Sequence, residues 1–295
     1  MDNPMDWYTK PTTCRRWNLL LLAFCSLLLF SIPASSAAIY TAQAMAPRSG
    51  VLIPLYIYPV TGAWDPLYQA IQTHPSVDFT VVINPASGPG PDPLPDPNWT
   101  KEIERLNTFS NVRTIGYVAL DYGKRAVDGA YADIAKYAQW RATNPSLAMQ
   151  GIFLDESPQL ADEYNTTLLA EVKTKIKNTY GLASGSIGKV PFVVMNPGSI
   201  PDSPILGTTD RTVVFEEQYQ TYINRQAAKA LAALPDRDVL CALMHSIPPD
   251  MSTQQLKALL GELKELSGCL FLTDLSEGYY NSFSPRLQEY LDAMV

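Results

Sequence analysis

The chain reads as one α/β domain, a (β/α)8 barrel of the TIM type. Three observations predict this. Beyond residue 50, short apolar, β-branched runs alternate with longer stretches of helical periodicity. About eight such units fit into roughly 245 residues, close to the ~250 that such a barrel takes. The runs are also apolar throughout, as a parallel sheet covered on both faces requires. An open doubly wound sheet shows similar alternation and is the second fold considered.

The first run is Val51 to Ile57. Asp65 then caps a helix with Pro66 at its first position and Leu67, Ala70 and Ile71 facing inward. The second run is Phe79 to Ile83, followed by a helix with Trp99, Ile103 and Leu106 on one face. Between them, Pro85 to Pro97 holds six prolines in thirteen residues, either a stiff cleft wall or a rigid connector. The third run is Val112 to Leu120, with a helix near Asp128 to Arg141. The fourth is Gly151 to Leu154. Ser157 is expected to cap the next helix and Pro158 to open it, with Tyr164, Leu168, Val172 and Ile176 following. The fifth is Val190 to Met195. No helix is expected between it and the sixth, Thr212 to Phe215, because Gly198 to Arg211 contains Pro201 and Pro204. A helix with Tyr222, Ile223, Ala227 and Leu231 follows. The seventh run, Val239 to Met244, leads to a helix opened by a capping box, Ser252 with Gln255. The eighth is Cys269 to Leu272, and the last helix is expected to start at Ser284-Pro285.

The N-terminus follows a different pattern. Lys10, Arg15 and Arg16 precede an apolar run from Leu19 to Ile32, and small residues follow Pro33. This predicts a signal peptide or signal anchor over residues 1–38, a short linker over 39–48 and the catalytic barrel over 49–295. A secreted or cell-surface protein is expected, with membrane anchoring if the segment is retained. Asn98-Trp99-Thr100 and Asn165-Thr166-Thr167 are glycosylation acceptors. Cys14 and Cys25 lie in the signal region. Cys241 and Cys269 remain, as two buried thiols or one disulfide.

Composition excludes several classes. At 46% hydrophobic and 17% charged residues, the chain is not disordered. A net charge of −7 without a basic stripe argues against nucleic acid. The two histidines, His74 and His245, make no zinc pattern, and His74 is expected at the surface. No nucleophile elbow occurs, and Gly181 to Lys189 lacks phosphate-loop spacing. No metal or cofactor is expected, and a monomer is.

In a (β/α)8 barrel the active site lies at the C-terminal ends of the strands. In chain order the runs end at Tyr56 and Tyr58, Asn84, Asp121-Tyr122, Asp155-Glu156, Asn196, Glu216-Glu217, His245 and Asp274. Two runs thus deliver carboxylates in pairs, the equipment for glycosidic cleavage: one acid for the leaving oxygen and one carboxylate to attack or to activate water. Capping of the following helices is the competing explanation, and Glu217 is expected to open the next helix.

Val51-Leu-Ile-Pro-Leu-Tyr-Ile-Tyr-Pro with Trp64, Val82-Ile-Asn-Pro-Ala-Ser-Gly-Pro-Gly, Gly116-Tyr-Val, Gly151-Ile-Phe-Leu-Asp-Glu and Val214-Phe-Glu resemble the spherulin-4-like family, in the same order. The resemblance implies a (β/α) barrel that cleaves galactosaminogalactan as an endo-α-1,4-N-acetylgalactosaminidase. It carries Asp155 and Glu156 onto the family's acidic pair and Glu216 onto its acid after Val-Phe; the doubled Glu216-Glu217 leaves a one-residue ambiguity. Asp155 is then the nucleophile or charge stabiliser, Glu216 the general acid/base and Glu156 an orienting group. Tyr56, Asn84, Asp121, Asn196, His245 and Asp274 are expected as substrate contacts. A non-catalytic glycan-binding protein and a galactosaminidase preferring deacetylated sugar are the alternatives.

Overall fold

The structure is a computed structural model, and it describes residues 48–182 and 190–295. The expected signal segment, nearly all of the linker and most of the glycine-containing stretch before Lys189 lie outside the described residues. Eight parallel strands close into a barrel in sequence order. They are β1 (Gly50–Leu55), β2 (Phe79–Ile83), β3 (Val112–Ala119), β4 (Gly151–Asp155), β5 (Phe192–Met195), β6 (Arg211–Gln218), β7 (Leu240–His245) and β8 (Cys269–Leu272). The helices are α1 (Asp65–Thr73), α2 (Pro97–Leu106), α3 (Val127–Thr143), α4 (Glu163–Asn178), α5 (Tyr219–Asn224), α6 (Ala227–Ala232), α7 (Thr253–Leu266) and α8 (Leu287–Met294).

The pleat sorts side chains into two cores. One side of each strand points to the barrel axis, where Leu52, Val82, Ile115, Phe153, Val194 and Leu243 form one cluster. The other side meets the helices through residues such as Ile53, Ile83, Ile152 and Met244. Burial on both faces explains the unbroken apolar runs. Cys241 and Cys269, directly opposed in the β7–β8 register, form a disulfide with their Cα atoms 4.6 Å apart. They stand at the N-terminal ends of their strands, at the base of the barrel.

No helix separates β5 from β6 among the described residues, as the prolines predict. The helix after β6 breaks in two at Gln226, whose φ is +50°; Tyr222, Ala227 and Leu231 are buried and Ile223 is exposed. The capping box at Ser252 forms with Gln255. Four expectations fail. Asp65 does not cap α1 but is its first residue, with Trp64 at the cap position and no side-chain cap bond. Asp162, not Ser157, caps α4, accepting from the Asn165 N–H at 2.7 Å, and Tyr164 is exposed. The last helix begins at Leu287, after Ser284 has accepted the Arg286 N–H. His74 is buried: its Nδ1 meets the Ala70 carbonyl and its Nε2 meets Asp292, each at 3.0 Å. An i−4 carbonyl and a remote carboxylate satisfy both ring nitrogens, which local sequence does not reveal.

Candidate active site

The mouth of the barrel is built by strand parity. Phe153 faces the axis, so Asp155, two residues on, does too; Val194 places Asn196 in the same way, and Leu243 places His245. β6 needs an extra device. Val213 faces the axis, and unbroken alternation would turn Phe215 and Glu217 inward. Instead the pairing passes from Val213↔Cys241 to Phe215↔Ala242, a β-bulge at Val214. Val214 and Phe215 both pack outward, and Glu216 swings to the axis opposite Leu243. The strand continues through Gln218, so Glu217 lies within β6 and does not open the next helix.

Asn196 joins the two carboxylates. Its Nδ2 donates to Asp155 Oδ1 at 2.9 Å and to Glu216 Oε2 at 2.6 Å. Its Oδ1 accepts the Gly198 N–H at 2.9 Å, which fixes the orientation of the amide. The two bonded carboxylate oxygens are therefore no more than about 5.5 Å apart, the sum of the two bonds. The second Glu216 oxygen, Oε1, accepts the Tyr280 hydroxyl at 2.5 Å. Asp155 also accepts from Tyr117 and from the Glu156 N–H. Tyr56 packs edge-on against both tyrosines, with ring centroids 5.7 Å from Tyr117 and 5.5 Å from Tyr280.

Burial raises the pKa of Asp155 above the ordinary carboxylate range, against the hydrogen bonds from Tyr117, Glu156 and Asn196. Glu216 is raised too, by burial first; Tyr280 and Asn196 oppose this, while the charges of Asp155 and Glu217 add to it. The Tyr280 phenol is pushed far up by burial and by Glu216, so it remains a donor. Burial lowers His245, and its ring stacks on Tyr279 at 4.2 Å with the planes 4° apart.

The other expected residues occupy varied places. Glu156 follows Asp155 with a φ of +50°, a left-handed conformation unusual for a non-glycine residue. Asn84 Oδ1 accepts the Gly88 N–H at 2.9 Å, so its carbonyl oxygen holds the proline-rich loop. Asp121 is exposed in a left-handed turn. Asp274 accepts the Ser284 hydroxyl at 2.6 Å, and the Leu272 parity turns it away from the axis. Ser157 lies within the mouth, its hydroxyl on the Leu154 carbonyl and its N–H on the Asn196 carbonyl. Sequence reading missed Tyr117, Tyr279 and Tyr280. Tyr117 lies mid-run in β3, where parity marks it as axial, but no local pattern marks the loop tyrosines. Both glycosylation-acceptor amides are engaged: the exposed Asn98 donates its Nδ2 to the Tyr58 hydroxyl at 3.1 Å, and Asn165 donates its Nδ2 to the Leu160 carbonyl and Asp162. Among the described residues no helix is long and apolar enough to cross a membrane, and no group of three or more His, Cys, Asp or Glu is placed to hold a metal ion.

Comparison with known proteins places this mouth in context. The crystal structure of Aspergillus clavatus Sph3 in complex with GalNAc superposes with a TM-score of 0.81 at 44% identity, covering 85% of this chain and 98% of that one. A chitinase from Bacteroides thetaiotaomicron shares the fold alone, with a TM-score of 0.50 at 9% identity over 83% of this chain and 95% of its own. Spherulin-4 of Physarum polycephalum is 30% identical over 252 residues, which cover 83% of this chain and 69% of that protein. The model of spherulation-specific family 4 matches residues 50–294, essentially the whole barrel, and the chain belongs to that family.

Proposed function

We propose that this protein is an extracellular glycoside hydrolase that cleaves galactosaminogalactan at α-1,4-linked N-acetylgalactosamine, within the polymer and with retention. One observation carries the reading: a single amide, that of Asn196, bridges Asp155 and Glu216. Retaining glycosidases hold their carboxyl groups about 5–5.5 Å apart, and inverting ones about 6.5–9.5 Å. The bound of about 5.5 Å set by Asn196 supports the retaining class. The GalNAc in the Sph3 crystal structure supports the sugar. The disulfide and the two glycosylation acceptors agree with an oxidising, exported setting.

The roles follow from the surroundings. Glu216 is half-buried beside the Asp155 charge, which favours its protonated form, so it gives its proton to the glycosidic oxygen as that bond breaks. Tyr280 serves either state, because a hydroxyl that donates to the carboxylate can turn and accept from the acid. Asp155, held by Tyr117 and Asn196, attacks the anomeric carbon and forms the glycosyl-enzyme. Water then attacks that carbon, its proton goes to Glu216, and Asp155 is released. Glu156 orients the sugar beside the pair.

The test is release of reducing ends from galactosaminogalactan by the purified protein, with Asp155→Asn and Glu216→Gln in parallel. Cleavage by the wild type, with near-complete loss in both folded variants, is expected. Binding without cleavage by the wild type would replace the hydrolase by a glycan-binding protein. A higher rate on deacetylated polymer would move the substrate to the cationic sugar.

A further inference from the structure

At the end of β3 the chain makes an unusual turn. Asp121, Tyr122 and Gly123 are all left-handed, with φ of +46°, +53° and +86°. Only the third is glycine, and L-residues pay a steric penalty in this region. The turn is tied twice to the end of β4: the Leu120 N–H donates to the Asp155 carbonyl at 2.9 Å and the Tyr122 N–H to the Glu156 carbonyl at 2.6 Å. The neighbouring strand end thus holds a strained conformation, a device that clusters at functional sites. Its visible product is Tyr122, 52% exposed and tied through its N–H to the residue after Asp155. Across the mouth, Tyr279 stacks on His245 beyond β7 and β8. The β3–β4 and β7–β8 junctions are four strands apart in a closed ring of eight, so the two aromatic groups stand on opposite sides of the rim.

We propose that Tyr122 is a sugar-binding platform, held out by the left-handed turn so that its ring stacks on a pyranose of an amino-sugar polymer, opposite the Tyr279–His245 stack. Aromatic faces suit the apolar face of a sugar ring, and the tyrosine hydroxyl stays available to its polar edge. Burial, then the charges of Glu156, Asp155 and Glu216, raise the Tyr122 phenol, which agrees with a ring near the mouth. The inference rests on the glycan reading of the mouth and adds a residue that specifies how far along the chain the protein grips.

The experiment uses the full chain carrying Glu216→Gln, which cannot consume the ligand, with α-1,4-linked N-acetylgalactosamine oligosaccharides of increasing length as probes. Tyr122→Gly and Tyr122→Phe are added to it, and binding is followed by titration calorimetry. Glycine relieves the strain as it removes the ring, so the melting temperature should hold or rise while affinity for the longer oligosaccharides falls about 10-fold, the size of one aromatic contact. Phenylalanine should keep most of the affinity. Equal binding by the glycine variant at every length, or a clear drop in its melting temperature, overturns the platform. Wild type that binds through Tyr122 but releases no reducing ends sinks the hydrolase reading and leaves the platform standing. Wild type that cleaves while the glycine variant binds unchanged does the reverse, and no binding at all overturns both.

Discussion

Replacing Glu216 by Gln should stabilise the protein near neutral pH while removing its activity. Burial raises this carboxyl above its ordinary value, so the folded state binds the proton more tightly than the unfolded chain. Between the unfolded value near 4.5 and the raised folded value, the native state carries more protons than the unfolded state. Stability therefore falls as pH rises through that window. Glutamine has no charge to desolvate. It also keeps the hydrogen bonds: its carbonyl oxygen accepts from Asn196, and its NH₂ donates to a Tyr280 hydroxyl that has turned to accept. The gain expected for removing such a functional-site penalty is about 0.5–2 kcal/mol. For a barrel of this size, ~2–4 °C of melting temperature corresponds to each kcal/mol. Melting curves of both proteins from pH 4 to 8 test this. The gap should be widest at neutral pH and close as pH falls towards 4.5. A variant less stable than wild type at pH 7, or a gap that does not change with pH, refutes the reasoning.

Asn196→Ala removes the donor that lowers both carboxyls, so both pKa values rise; the bell of kcat/KM against pH should move to higher pH, with a peak about 100-fold lower. Gly116→Ala puts a Cβ 2.6 Å from the Tyr137 ring, whose hydroxyl is pinned by the Ile83 carbonyl and the Tyr117 N–H, so overpacking of about 1–3 kcal/mol should appear as a lower urea midpoint. Replacing Cys241 and Cys269 by Ala opens a link spanning 28 residues and should cost about 3 kcal/mol in unfolding experiments, with a reductant shifting the wild type towards the variant.

The barrel was legible because parallel strands buried on both faces write long apolar runs, and because Pro201 and Pro204 rule out a helix after β5. Asp155 and Asn196 could be placed by counting two residues on from an axial apolar neighbour. Glu216 could not, because alternation from Val213 points to Glu217, and only the bulge at Val214 corrects it; an extra residue in one strand shows only against its partner. Asp274 misled for the opposite reason: it stands two residues past the end of β8, shares the outward parity of Leu272 and is tied to Ser284. Tyr280 reaches Glu216 from 64 residues away, through a loop, and no local period records that contact.

The distribution of strain separates two halves of the barrel. Of the six non-glycine residues with positive φ among the described residues, Ser87, Asp121, Tyr122, Glu156 and Ser246 follow the C-terminal end of a strand within four residues; Gln226, which splits a helix, is the exception. The mouth also holds the bulge and two carboxyls whose ionised forms burial disfavours. Each of these features lowers stability by itself, and they gather at the end of the barrel that carries the candidate site. The base carries opposite features: the Cys241–Cys269 link joins the second residue of β7 to the first of β8, and Gly151 and Gly268 let backbones approach where a Cβ would meet carbonyl oxygens at 2.0 and 2.6 Å. A perturbation at the base should therefore change melting with little change in rate per folded molecule. One at the mouth should cost rate or affinity, while melting holds or rises wherever strain or a buried charge is relieved. Stability and activity thus answer to opposite ends of the same eight strands.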